Sequence, residues 1–490
     1  MTTYDLILRN GTLVIPDPIN APTPKQVGLP KPPADLSAPR KLSPTSPPLP
    51  TTDLAILDGH IVAIAPELTG TARAEIDATG LHIFPGLIDA HVHFNEPGRT
   101  AWEGFATGTR ALAAGGATAF FDMPLNAHPP TLDTKSFDLK LAAAQTSSLV
   151  DFALWGGLVP GNLDRLDELA ARGVIGFKAF MSNSGIEDFE AADDLTLYEG
   201  MARAAKLGSI VAVHAENDQI TSTLARRAQH EGRTGVHDYL ASRPVIAELE
   251  AIQRAILFAE ETGCPLHIVH VSTGRGVSLV ADARARGVDV SCETCPHYLV
   301  LTEDDMEQLG AVAKCAPPLR PSADQDELWQ HIFSGNLPMI ASDHSPAPAS
   351  MKTSSDFFKV WGGISGCQSL LQLLLTAGYE QRHLPLPTIT HLTSSYIARR
   401  FALAPHKGSV SIGADADLAL VDLQHSAVLQ ANDLHYRHQH SPYINMPLQG
   451  HIVRTLLRGQ TIFNEGQFAT IPVGRLIKPS PSTTVERDLI

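Results

Sequence analysis

The chain has 490 residues, 43% of them hydrophobic, and a formal net charge of -15. That composition supports a large buried core and excludes a largely disordered chain. The acidic balance argues against nucleic acid or anionic lipid as the principal partner, and no apolar run reaches the roughly 18 residues that span a bilayer.

The opening residues, MTTYDLILRN, carry no basic stretch followed by an apolar core, so no secretory signal is read there. Tyr4–Ile15 alternates and is rich in Leu, Ile and Val, which predicts strands. From Pro16 to Pro50 prolines crowd the chain. Such a run cannot donate ladder hydrogen bonds and predicts a disordered or extended insertion. Strand signals resume over Asp53–Ala65, around a turn at Asp58-Gly59.

Between about residues 83 and 404, short β-rich runs alternate with Ala- and Leu-rich helical stretches. The runs are Leu87–Phe94, Ala117–Pro124, Val150–Leu158, Val174–Met181, Ser209–Glu216, Pro265–Ser272, Val288–Thr294 and Leu337–Ser345. This alternation predicts an α/β fold built on a parallel, TIM-like (β/α)8 barrel, with an open doubly wound sheet as the alternative. Gly408–Asp422 and His451–Phe463 read as strands again. The expected division is therefore 1–82 and 405–490 for the two parts of one small β-sandwich, and 83–404 for the barrel. The chain ends on Asp488-Leu489-Ile490, which is not the peroxisomal S-K-L address. Its five cysteines, Cys264, Cys292, Cys295, Cys315 and Cys367, are odd in number and irregularly spaced. They point to a reducing compartment, and with the other features to a soluble cytoplasmic protein. The C-x-x-C of Cys292 and Cys295 has no second pair at zinc-ribbon spacing and reads as structural.

Polar residues close several of the predicted strands. His91-Val92-His93 ends the first, and residues two apart on a strand share a face. Both imidazoles can then face the barrel mouth where such folds place their sites; two core or surface histidines fit equally well. Lys178, in GVIGFKAFM, is a costly residue inside an apolar strand. Burial lowers a lysine pKa, and a neutral amine can take up carbon dioxide as a carbamate, an anionic ligand able to bridge two metals. A snorkelling lysine or a buried ion pair is the alternative. His214, His270 and Asp343 end SIVAVHAEN, PLHIVHVST and LPMIASDHS. Singly, each fits a satisfied structural histidine or a turn aspartate. Jointly, the six sit at predicted strand ends 1, 4, 5, 6 and 8, and imidazole and carboxylate suit zinc and similar divalent metals.

This set resembles the two-metal cyclic amidohydrolases, a family that includes dihydroorotases, hydantoinases and allantoinases. The resemblance covers nearly the whole chain outside the proline-rich segment. Its finer motifs are similar to the allantoinase branch: HVHFNEPGRTAWEGF (91–105), DMPLN (122–126), GFKAFM (176–181), ETCPHYL (293–299), KCAPPLR (314–320), SDHSP (342–346) and WGGISG (361–366). It implies that His91 and His93 hold one divalent metal and His214 and His270 a second. Lys178, as N6-carboxylysine, bridges them. Asp343 completes the first site and shuttles the proton. Zinc is the leading metal, with cobalt, manganese and iron as alternatives. Two cations sharing a water would make hydroxide available near neutral pH.

Position 95 separates substrates. Dihydroorotase-like relatives have an arginine there, suited to a carboxylate; Asn95 suits a neutral ureido or imide edge. Asn126, Cys315, Ser345 and Ser365 are further candidates to line the pocket, with loop shaping as the alternative for each. Arg99 could replace the missing arginine but is expected to organise the NEPGRT loop. His267, His297 and His344 stand near the rim and are left out of the ligand set; His267, an odd number of residues from His270, should face away. The resemblance thus implies an enzyme that hydrolyses a small neutral cyclic amide, allantoin, to allantoate, as a homotetramer. Hydantoinase or dihydropyrimidinase activity is the nearest alternative. A non-catalytic scaffold relative that has lost metal ligands is the remote one, and the intact ligand set speaks against it.

Overall fold

The computed structural model describes residues 3–15, 49 and 51–480. The proline-rich segment 16–50 lies, Leu49 apart, outside the described residues. No helix of the described residues is long and apolar enough to cross a membrane.

Strands from both ends of the chain share one nine-stranded sheet. Its members are β1 (Thr3–Leu13), β2 (Thr51–Leu57), β3 (His60–Ala65), β4 (Thr71–Asp77) and β5 (His82–Pro85) at one end of the sequence. Asp58 and Gly59, at φ 52° and 82°, make the predicted turn between β2 and β3; two positive φ values in a two-residue hairpin match its right-handed twist. β1 is divided between neighbours: Thr3–Arg9 pairs with β4, and Thr12 and Leu13 pair with β5. β5 then pairs antiparallel with β14 (Leu418–Val428), and the sheet continues through β15 (Pro447–Leu457), β16 (Gln460–Asn464) and β17 (Gln467–Phe468). The alternation in β1 and β2 buries Leu6, Leu8, Leu54 and Ile56 against Leu418, Leu420 and Leu456 from the other end of the sequence.

The residues between form parallel strands alternating with helices: β6 (Leu87–Val92), β7 (Ala117–Asp122), β8 (Asp151–Leu154), β9 (Gly156–Gly157), β10 (Phe177–Phe180), β11 (Val211–His214), β12 (Leu266–Ile268) and β13 (Val290–Cys292). They make a sheet β6-β7-β8 and a sheet β9 to β13, and Trp155 alone separates β8 from β9. Every residue of these strands is buried, as strands covered on both faces must be. The expected eighth strand, Leu337–Ser345, is not a ladder. It touches its neighbours through single parallel bridges, Thr294 to Ile340 and Val92 to His344. Pro338 has no N–H to donate, and Asp343 at φ 47° leaves the extended conformation. That segment still runs between the end of β13 and the end of β6.

The two helices that follow His214 and His270 start on side-chain caps. Asn217 accepts from the Ile220 N–H and Thr273 from the Gly276 N–H, at the heads of Asp218–His230 and Gly274–Ala285. Each cap follows a strand-end histidine, His214 or His270, by three residues. A short loop, a cap and a helix therefore fix the backbone just beyond each imidazole.

Candidate metal centre

Four imidazoles stand in a row at the C-terminal ends of the parallel strands. Ring centroids are 5.4 Å apart for His93 and His91, 5.5 Å for His91 and His270, and 4.7 Å for His270 and His214. Asp343 closes one end: its Oδ1 is 3.1 Å from His91 Nε2 and 3.4 Å from His93 Nε2. These three residues could hold one cation. At the other end His214 Nδ1 and His270 Nε2 are 3.0 Å apart, a second place where two ring nitrogens converge. The His214 ring lies flat on Phe180, at 4.5 Å and 10°.

Lys178 sits on β10, wholly buried, with no hydrogen-bond partner for Nζ. Its ammonium nitrogen stands 5.1 Å from the centroid of the Phe180 ring. Burial pushes its pKa down to about 7, with the charges of Glu293 and Asp343 opposing the fall. Burial likewise lowers His93 and His214, and carries His270 well below the usual histidine value. Neutral imidazoles beside an unpartnered, near-neutral amine make a donor set that fits divalent cations.

Carboxylates behind the histidines were not singled out in the sequence. Glu293 accepts from His91 Nδ1 at 2.6 Å with one oxygen and contacts His267 Nε2 at 3.1 Å with the other. Burial would raise its pKa, but the two imidazoles hold it down at about 2. His267 therefore turns toward the carboxylate that His91 uses, contrary to the parity expectation. β12 ends at Ile268 and His270 has φ 39°, so strict alternation does not reach from 267 to 270. Glu216, two residues beyond His214, accepts from His214 Nε2 at 2.8 Å and pairs with Arg243. Asp122 accepts from the Phe94 N–H at 2.8 Å and pairs with buried Lys140 at 2.5 Å, tying the ends of β6 and β7 together beside His93. Glu293 lies within ETCPHYL and Asp122 within DMPLN, so their positions were visible while their partners were not.

The expected pocket residues divide. Asn126, buried at φ 66°, places Nδ2 3.2 Å from His93 Nδ1 and so attends a ligand candidate. Asn95, at φ 63°, donates from Nδ2 to the Pro346 carbonyl at 3.3 Å, while its Oδ1 is buried without a partner. Ser365 Oγ is also buried and unpartnered. Ser345 is buried beside Gly363, where a Cβ would meet the Ser345 carbonyl oxygen at 2.3 Å, so only glycine fits there. Cys315 is buried and burial raises its thiol to about 12, leaving it uncharged; its carbonyl accepts from the Tyr239 hydroxyl at 2.8 Å. Arg99 donates to the carbonyls of Asn126 and Ala127 and to Asp188, so it braces the loop. His344 accepts the Gly366 N–H through Nδ1 and supports the loop that carries Ser365. All five cysteines are buried free thiols.

Residues 82–462 match the amidohydrolase family. The chain is 62% identical over 427 residues to an allantoinase of Rubrobacter xylanophilus, covering 87% of this chain and 94% of that one. It is 58% identical over 433 residues to an allantoinase of Solibacter usitatus, covering 88% and 94%. Among solved structures, the L-hydantoinase (dihydropyrimidinase) of Arthrobacter aurescens superposes with a TM-score of 0.88 at 32% identity, covering 97% of this chain and all of that one. The dihydropyrimidinase of Brevibacillus agri does so with a TM-score of 0.84 at 29% identity, covering 97% and 98%.

Proposed function

Because the chain belongs to the amidohydrolase family, we propose for it the reaction its curated relatives are named for: water opens the hydantoin ring of allantoin at an amide bond and gives allantoate. The row of four imidazoles ending on Asp343 carries this reading. His91 and His93, through Nε2, would hold one metal with Asp343; His214, through Nδ1, and His270, through Nε2, would hold the other. Lys178 as a carbamate would bridge them, which accounts for a buried amine without a partner. Zinc is the proposed metal, with cobalt, manganese and iron as alternatives. When bound, the pair supplies an activated water and polarises the ring carbonyl.

The chain's own residues do the rest. Glu293 accepts the Nδ1 proton of His91 and leaves Nε2 with a free lone pair; Glu216 accepts the Nε2 proton of His214 and leaves Nδ1 free. The Asn126 amide stands 3.2 Å from His93 Nδ1 through Nδ2, and with its oxygen and nitrogen exchanged it would accept the proton of that ring in the same way. Asp343, beside both Nε2 atoms, takes the proton of the attacking water and delivers it to the departing ring nitrogen. Without that delivery an amide anion would have to leave. Asn95 and Ser365, with Cys315 and Ser345 lining the pocket, meet a neutral ring, and Arg99, spent on backbone carbonyls, offers no fork for a carboxylate.

The eight parallel segments are proposed to close as a (β/α)8 barrel over 83–404, with residues 1–82 and 405–490 forming one β-sandwich. The bridges at Ile340 and His344 support the closure. A homotetramer and a cytoplasmic location complete the proposal, the latter on the strength of five buried, unpaired cysteines. A substrate panel tests the activity: allantoin, hydantoin, dihydrouracil and dihydroorotate, with metal measured on the same sample. Allantoin should give the highest kcat/KM and chelation should abolish turnover; preference for another ring overturns the substrate, and full activity without metal overturns the centre.

A further inference from the structure

The WGGISG segment, 361–366, runs directly beside the one that carries Asp343. Ile364 bridges His344 in parallel, and the Ser345 N–H donates to the Ile364 carbonyl at 2.9 Å. Asp343, two residues before Ser345, keeps 14% of its side chain exposed, so the site is open there. Gly362 is exposed as well, and a Cβ built on it would meet nothing nearer than Lys314 Cε at 3.9 Å, so space stands before this edge. The Ser365 Oγ behind it is buried without a partner.

Two lysines that the proposed reaction does not use hold this segment. Lys314 is buried and donates from Nζ to the carbonyls of Phe357 and Val360, both at 2.6 Å. Its own carbonyl accepts the Gly363 N–H at 2.8 Å. Lys352, half-buried, donates to the carbonyls of Ala311, Trp361 and Gly363 at 3.0, 2.9 and 2.7 Å. An ammonium has three N–H donors, and Lys352 meets a carbonyl with each. Among the described residues no carboxylate pairs with either lysine. Burial pulls both pKa values down to about 7. An unpaired charge is a costly means of filling space, and methionine would pack there without that cost. Anchoring a backbone at several carbonyls instead fixes where it stands, which a binding wall requires.

We propose that Lys314 and Lys352 are positioning residues: their ammonium groups hold the 362–365 edge as one wall of the substrate pocket, so that a bound ring faces Asp343. The inference rests on the cyclic-amide reading of the site and concerns how the ring is bound.

Lys314→Met and Lys352→Met test it against wild type in KM, kcat, metal content and amide exchange over 357–366. KM does not depend on the fraction of active enzyme, so a variant that merely loses folded protein keeps the wild-type value. Loosening the wall should raise KM about tenfold or more, within the cost of misplacing a bound group by about 1 Å. The fall in kcat should be smaller, the metal content level, and exchange over 357–366 faster. A wild-type KM in either variant overturns the role of that lysine. Unchanged exchange, or a KM that rises only together with a loss of metal, overturns the proposal. Where a methionine protein fails to fold, the glutamine variant, which keeps two donors but no charge, is judged by the same criterion. All variants are assayed on the ring that wild type prefers. An error in the substrate then appears in the wild-type panel, and an error about the lysines only in the ratio of variant to wild type.

Discussion

Replacing Lys178 by methionine should stabilise the metal-free protein while abolishing its activity. The amine is wholly buried, makes no hydrogen bond and faces the Phe180 ring. Burial takes its pKa from 10.5 to about 7. In the unfolded chain the amine returns to its ordinary value, so at pH 7 it is fully protonated there and only about half protonated in the folded state. With about 1.36 kcal/mol for each pH unit, that difference opposes folding by about 4 kcal/mol at pH 7. Because the folded pKa is the lower one, the penalty is fully present below about pH 7 and fades as pH rises through 10.5. Methionine has a similar length and no charge, so it removes the penalty. With metal the order reverses: wild type gains the free energy of binding, and the variant lacks the proposed bridging anion. Urea titration of chelated proteins at pH 7 and pH 10 reads the first effect, and metal quantification with an initial-rate assay reads the second. The reasoning fails if the methionine protein keeps its metals and turnover, or if its metal-free form is less stable than wild type at pH 7.

Glu293→Gln removes the anion shared by His91 and His267; metal affinity, read by chelator competition, should fall about 10–100-fold, and an unchanged affinity would show that Glu293 does not orient His91. Lys407→Met leaves Asp151, Asp415 and Asp417 facing one another without the ammonium that bonds all three at 2.6–2.8 Å. Breaking that buried cluster should cost about 3–5 kcal/mol in calorimetry, with kcat and KM of the folded fraction unchanged; an undisturbed melting temperature would refute it.

Five of the six candidate ligands could be located in the sequence because they close apolar runs, and Lys178 because it interrupts one. Those are local signals. Glu293 and Glu216 gave none of comparable strength: what makes them matter is the imidazole each reaches, and for Glu293 that ring is 202 positions away. His267 was misplaced for a related reason. Counting parity assumes an extended chain, and His270 at φ 39° is not extended. The eighth strand was over-read because hydrophobicity marks burial, whereas a ladder also needs N–H groups and extended φ, which Pro338 and Asp343 lack. Asn126 was placed in the pocket by its position, yet its amide attends His93.

The proposed metal pair is supported unevenly, and the unevenness has a use. One histidine in each proposed pair is fixed by a carboxylate: His91 by Glu293 through Nδ1, His214 by Glu216 through Nε2. The two bonds use opposite ring nitrogens, so the free lone pairs are Nε2 on His91 and Nδ1 on His214, each aimed along the row. Their partners are held more loosely: His93 has a neutral amide, and His270 Nδ1 has no partner. Fixed tautomers at two positions would set where each proposed cation sits. Softer imidazoles at the other two would let the centre adjust if Asp343 gains and loses a proton as proposed. An acid that must move a proton in every turnover works best beside ligands whose charge is already settled, and the two buried glutamates, both held down at about 2, settle it.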